Sequence, residues 1–154
     1  MKRGSYLRAK RMEKIFAGIG KGISVCILLM VITACAGSKK MNVNLYNQEK
    51  ILQLIFDSSD VSQYFHPEAE GRIPIKIATN GHISNNVNLN KYGEKVTVVT
   101  TSSSEETLDV HLFSIQGNNA TFEIRYGIEG VTIEGTAVLS ESVWELKSLE
   151  VSES

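Results

Sequence analysis

Cysteine is scarce in this chain, and the scarcity excludes several chemistries at once. Cys26 and Cys35 are the two present among 154 residues. Cys26 lies inside an apolar segment and Cys35 at its end, so the body beyond residue 35 carries no thiol. An intramolecular disulfide, a thiolate zinc site and a cysteine nucleophile are excluded there. A body of about 120 residues is long enough to be stable through its core alone. Basic charge is missing from the same region. Seven of the 16 Lys and Arg (Lys2, Arg3, Arg8, Lys10, Arg11, Lys14 and Lys21) fall in residues 1–34 with one acid, Glu13. The rest of the chain holds nine basic residues against sixteen acidic ones. The head is therefore +6 and the body −7, within a formal net charge of −1. Such a body has no patch to neutralise phosphates, which argues against nucleic acid as a partner. A basic head on an acidic body is a targeting pattern.

Long apolar runs are also wanting. ISVCILLMVITA, residues 23–34, is apolar apart from Ser24 and Thr33. As a helix it rises about 18 Å, well short of the ~30 Å hydrocarbon core of a bilayer. Extending it backwards meets Lys21 and the glycines Gly18, Gly20 and Gly22. A basic segment followed by so short a run has the shape of a signal peptide. The run ends in Ile32-Thr33-Ala34-Cys35, which resembles the lipobox of bacterial lipoproteins. That pattern has a branched apolar residue, two small residues and then cysteine. The resemblance implies a diacylglyceryl thioether on Cys35, cleavage of the Ala34–Cys35 bond and acylation of the new amino terminus. It also implies the bacterial cell envelope as the location, on the periplasmic side of the outer membrane if the cell has two. One acyl chain binds a membrane marginally and two or more bind it stably, so multiple acylation fits an anchor. The rival reading is one uncleaved membrane helix with its N-terminus inside. Met12 would begin a leader of more ordinary length, so the signal peptide is read as residues 1–34 with Met1 or Met12 as its start.

Residues 36–44, AGSKKMNVN, are small and polar and read as a tether; with Cys35 it is drawn through residue 46. A domain over residues 47–154 follows. Asn47 is a candidate N-cap for a helix over residues 48–56, with Glu49 in its first turn and Ile51, Leu52, Leu54, Ile55 and Phe56 as its apolar stripe. A further turn would put Val61, Tyr64 and Phe65 on one face before His66-Pro67 stops it. From Gly71 the period becomes two. Ile73, Ile75 and Ile77 alternate ahead of the Asn80-Gly81 turn, and HISNNVNLNKYG reads as a loop with at most one short strand. Strands are expected over residues 95–101 and 107–116. Phe122, Ile124, Tyr126 and Ile128 share a face opposite Thr121, Glu123 and Arg125; Val131, Ile133, Ala137 and Leu139 share the next. Trp144 and Leu146 are out of phase with Leu149 and Val151, which predicts a bulge near Lys147 or Ser148. Short turns predict antiparallel neighbours in a meander. The expected fold is α+β, a helix covering one face of a curved antiparallel sheet.

A helix followed by long meander strands resembles the NTF2-like and cystatin-like superfold. The run Asn118-Asn119-Ala120-Thr121-Phe122-Glu123-Ile124, with Gly130, Gly135, Leu139 and Trp144 after it, is similar to the closing strands of small NTF2-like bacterial lipoproteins. The resemblance covers residues 47–151, and the superfold hosts enzymes, binding modules and scaffolds alike.

Candidate chemistry in the body is thin. His66, Glu68 and Glu70 place an imidazole near two carboxylates, as a metal site or general base would, or as an exposed acidic turn does. Glu123, Arg125 and Glu134 form cross-strand ion pairs or line a pocket with Tyr126 as partner. His82 and His111 share no ligand spacing with His66, and Asp109 points to the face opposite His111. Ser102-Ser103-Ser104 lacks the glycines of a nucleophile elbow. Asn119-Ala120-Thr121 matches a glycosylation sequon by coincidence in a bacterial context. No catalytic set, metal site or cofactor is assigned. The reading is a membrane-anchored lipoprotein with a non-enzymatic binding or accessory module. The alternatives are a tethered NTF2-like enzyme and an inhibitor or immunity lipoprotein. Trp144 is expected against Leu52, Ile55 and Phe56, unless it is exposed as an interface anchor.

Overall fold

Five side chains decide where the longest helix of the described residues lies. Gln48, Ile51, Leu52, Ile55 and Phe56 recur at helical spacing and are buried, so one stripe of α1 (Val43–Asp57) faces the interior. The computed structural model describes residues 43–153. The expected leader and lipobox, with Ala34 and Cys35, lie outside the described residues. α1 starts earlier than the sequence suggests. Residues 43–46, expected in the tether, are helical, so Asn47 is not a cap and Glu49 is not in the first turn. Both side chains have tertiary partners instead. The Trp144 indole N–H donates to Asn47 Oδ1 at 3.1 Å, and Asn88 N–H donates to Glu49 Oε1 at 2.8 Å. Leu45 also packs against the core, which supports the extra turn.

The Ser58 side chain accepts from Asp60 N–H and caps the short α2 (Ser59–Ser62). Val61 and Phe65 are buried as expected. The Phe65 ring meets Phe56 edge-on at 5.5 Å and Tyr126 at 6.2 Å between centroids.

Six strands form the main sheet: β1 (Lys76–Ala78), β4 (Thr97–Val99), β5 (Thr107–Gln116), β6 (Asn119–Tyr126), β7 (Val131–Ser140) and β8 (Val143–Glu153). Their spatial order is β4-β1-β5-β6-β7-β8. β5 to β8 are the expected antiparallel meander. β1 departs from that expectation, because it pairs parallel with both β4 and β5. The sheet is therefore mixed. A parallel neighbour needs a returning crossover, and residues 79–96 supply the one between β1 and β4. Within that crossover, β2 (Asn90–Lys91) and β3 (Glu94–Lys95) make a two-stranded ribbon, and Ile83, Val87 and Leu89 are buried.

Phase changes in the sheet have clear causes. Thr136 pairs with Ser148 and Ala137 with Leu146, so Lys147 is the extra residue of a bulge. Trp144, Leu146, Leu149 and Val151 thereby share the inner face despite their mixed parity. A second bulge holds His111, since Val110 pairs with Ile124 and Leu112 with Glu123. It turns Leu112 outward and Phe113 inward, leaving Leu112 exposed and Phe113 buried. Ile128 corrects the sequence reading. It belongs to a 3-10 turn, Gly127–Glu129, rather than to β6, and is exposed.

Gly135 sits where the Lys147 bulge brings two strands together over Phe122. A Cβ there would collide with the Ser148 carbonyl oxygen and approach the Phe122 ring to 2.9 Å. Backbone cannot yield cheaply, so Gly135→Ala is expected to cost at least about 1–3 kcal/mol. An unchanged urea midpoint would contradict this account. Trp144 is 4 % exposed and belongs to the same buried cluster as Leu52, Ile55 and Phe56. Trp144→Ala is therefore expected to cost about 3–5 kcal/mol, against a net stability of ~5–15 kcal/mol for a domain of this size. Native emission should be blue-shifted and move red on unfolding. Red native emission with little stability lost in the Ala variant would refute the core placement.

Candidate functional site

α1 presents a second stripe besides the buried one. Tyr46, Lys50, Gln53, Leu54 and Asp57 line one wall of an open groove, and Ser142, Val143 and Trp144 at the start of β8 line the other. Its volume is about 350 Å³, within the ~300–1,000 Å³ range of small-ligand sites. Trp144 bounds the groove with its N–H tied to Asn47, so the ring is held in place. The Lys50 ammonium lies 5.4 Å over the Tyr46 ring. The groove's carboxylate, Asp57, is engaged: its oxygens accept from Gln53 at 3.0 Å and Lys91 at 3.4 Å. The geometry suits apolar binding better than proton transfer, which needs a carboxylate or imidazole directed at the bound group.

The His66 segment folds into a different cluster. His66 Nδ1 lies 3.2 Å from Glu68 and its Nε2 3.6 Å from Glu129. Arg72 donates to Glu129 at 2.6 Å and to the Tyr126 hydroxyl at 2.9 Å. The guanidinium also lies 5.8 Å from the Tyr126 ring centre. Burial works against the Arg72 charge, but hydrogen bonds to Tyr126 and Glu129 outweigh it and raise its pKa. A backbone hydrogen bond, and then His66, lower that of Glu68. The structure thus brings His66 and Glu68 together, leaves Glu70 exposed outside the cluster, and adds Arg72, Tyr126 and Glu129. Among the described residues no group of three or more His, Cys, Asp or Glu is arranged to hold a metal. The cluster pins the turn after Phe65 to the end of β6.

Tyr126 does not join Glu123, Arg125 and Glu134, as the sequence reading had it. It is buried on the inner face with Phe122 and Ile124, and the three charged residues lie on the outer one. Arg125 pairs with Glu123 along its own strand at 2.9 Å. Across the strands Glu123 stands opposite Glu134, and Glu134 opposite Glu150. The outer face therefore carries a row of three carboxylates rather than alternating ion pairs. Asp109 is opposite Arg125 in register, and its Oδ1 is buried without a partner. His82 and His111 are exposed. Ser102 Oγ donates to the Ser104 carbonyl within its loop, and Asn119 opens β6.

Sequence reasoning missed the groove because Tyr46 had been given to the tether. The signal was present: positions 43, 46, 50 and 54 are spaced as one face of a helix. Arg72 and Glu129 were missed because they are 57 residues apart. No known protein family, curated protein or solved structure matches this chain.

Arg72→Met should leave Glu129 and the Tyr126 hydroxyl without their donor and partner, at a cost of about 1–3 kcal/mol. Pairing it with Glu129→Gln should recover part of that loss in a double-mutant cycle. Strict additivity in urea unfolding would show that the two do not act as a pair.

Proposed function

We propose that this chain is a lipoprotein of the bacterial cell envelope, cut before Cys35 and held on the membrane by lipid at that residue. Its domain is a non-enzymatic binding or accessory module. The observation that carries the reading is the Ile32-Thr33-Ala34-Cys35 motif closing a short apolar run behind a basic head. Among the described residues no helix is long and apolar enough to cross a membrane.

Two features favour binding over reaction. The inner face of the sheet is filled by Ile51, Leu52, Ile55, Phe56, Val61 and Phe65, which are fully buried. An NTF2-like enzyme would use that face as an apolar cavity around a titrating group. The groove beside Trp144 is apolar and open, which suits reversible capture. The helix-on-meander arrangement also agrees with the NTF2-like or cystatin-like resemblance, and the parallel pairing of β1 sets this chain apart from a pure meander. One observation favours the inhibitor or immunity reading as a second choice. The row Glu123, Glu134, Glu150 would face a basic partner, such as a cationic toxin or hydrolase.

Cys35→Ser is expected to abolish incorporation of a palmitate analogue and to leave unprocessed precursor. Label retained in full by the Ser variant would overturn the lipoprotein reading.

A further inference from the structure

The rim of the Trp144 groove has a composition that neither the buried core nor the charged outer sheet face explains. Val43 is 68 % exposed, Tyr46 39 % and Val143 59 %. Val43, Tyr46 and Lys50 lie on one face of α1, away from the stripe that covers the sheet. Val143 follows a tight turn in which Glu141 and Ser142 take φ of 50° and 69°. Those left-handed values suit a two-residue hairpin that projects its flanking residue. The turn lies beside α1, joined to it by the Trp144–Asn47 bond and by the groove that Tyr46 and Val143 both line; Val43 stands one turn before Tyr46 on the same face of the helix.

Aliphatic side chains, a tyrosine and a lysine on one rim match the chemistry of the membrane–water boundary. Tyrosine is enriched there because its ring is apolar and its hydroxyl is wet. Lysine lays its stem along apolar surface while its ammonium stays in water. Chain length fixes which end of the domain an anchor holds down. Cys35 precedes Val43 by eight residues, which span at most about 28 Å when fully extended. A lipid on Cys35 therefore keeps the α1 start, with its groove rim, within reach of the headgroups. The far end, where Tyr64 donates to Glu153, has no such constraint. Lys50 and the exposed Glu141 offset each other in charge, and Lys39 and Lys40 between Cys35 and Val43 are basic, so neither zwitterionic nor anionic headgroups are repelled.

We propose that this rim docks on the bilayer that carries the anchor, with Val43, Tyr46 and Val143 at the headgroup–acyl boundary and Trp144 directly behind them. The proposal rests on the lipoprotein reading. Contacts of this size bind weakly alone, and the tether makes them effective by turning docking into an intramolecular event. Docking fixes the orientation of the domain: the rim faces lipid and the groove mouth opens along the membrane plane.

Trp144 is the single tryptophan of the chain and is a built-in probe. The lipidated protein, purified from its native membrane, is reconstituted in phosphatidylcholine vesicles with and without bromine near the headgroup end of the acyl chains. Sedimentation with the vesicles reads the anchor, and loss of Trp144 emission on brominated lipid reads docking. The expected result is sedimentation with quenching. Tyr46→Asp combined with Val143→Asp should abolish the quenching while leaving sedimentation and the native emission maximum unchanged. Sedimentation without quenching overturns the docking and leaves the anchor standing. Neither sedimentation nor quenching overturns both readings. Quenching that persists in the double variant overturns the assignment to this rim. An emission shift that depends on protein concentration without vesicles shows a second copy on the rim and overturns the docking equally.

Discussion

The burial of Ile51, Leu52, Ile55 and Phe56 against the inner face of the sheet is the contact on which the rest of the domain depends. All four are fully buried. Each apolar side chain of this size gains about 1.5–3 kcal/mol on burial, so together they match the ~5–15 kcal/mol net stability of a small domain. A one-sided sheet without this cover would expose Phe122, Ile124, Ile133 and Trp144 to water. The position of α1 also determines everything on its other sides, because a helix fixed by one stripe has its remaining faces fixed too. Tyr46, Lys50 and Leu54 reach the groove because Ile51 and Ile55 reach the core.

The same helix organises the long crossover after β1. Gln48 Oε1 accepts from Ser84 N–H at 3.0 Å, Glu49 from Asn88 N–H at 2.8 Å, and Gln53 exchanges two bonds with the Asn90 backbone at 2.9 and 3.2 Å. Side chains of the helix thus satisfy backbone groups that have no ladder to join. Ile83, Val87 and Leu89 tuck inward from the segment so held. The polar side of α1 is therefore as structural as its apolar side, and Gln53 serves both the crossover and the groove wall.

These facts explain what the sequence revealed and what it hid. Alternation along β6, β7 and β8 was legible because neighbours in sequence are neighbours in space, and each strand buries one face. The Lys147 bulge was legible because Trp144 and Leu146 clash in phase with Leu149 and Val151. The parallel partners of β1 were not legible, since a strand of three residues, paired from Thr97 to Val99 on one side and from Thr107 to Asp109 on the other, leaves no local pattern. HISNNVNLNKYG looked unordered because its order comes from glutamine and glutamate side chains far back in the chain. The start of α1 was missed because Val43 and Tyr46 face outward and the small, polar run AGSKKMNVN before Leu45 reads as a tether. A motif such as Ile32-Thr33-Ala34-Cys35 needs four consecutive residues and no fold to be read. The groove needs two elements almost a hundred residues apart, and no local motif encodes that meeting.

The Lys147 bulge has a consequence beyond the phase of its strand. β8 is the last strand of the sheet, eleven residues long, and a long flat strand in that position is a template for adding strands from another molecule. The bulge breaks its regularity in the middle, and Glu145, Lys147, Glu150 and Glu153 are exposed along it. The opposite edge, β4, is three residues long. Neither border offers a neighbouring molecule a clean row of amides and carbonyls. If the chain is anchored as proposed, this matters more, because proteins confined to a surface meet one another far more often than proteins free in three dimensions. A sheet with blunted borders can be crowded there without polymerising.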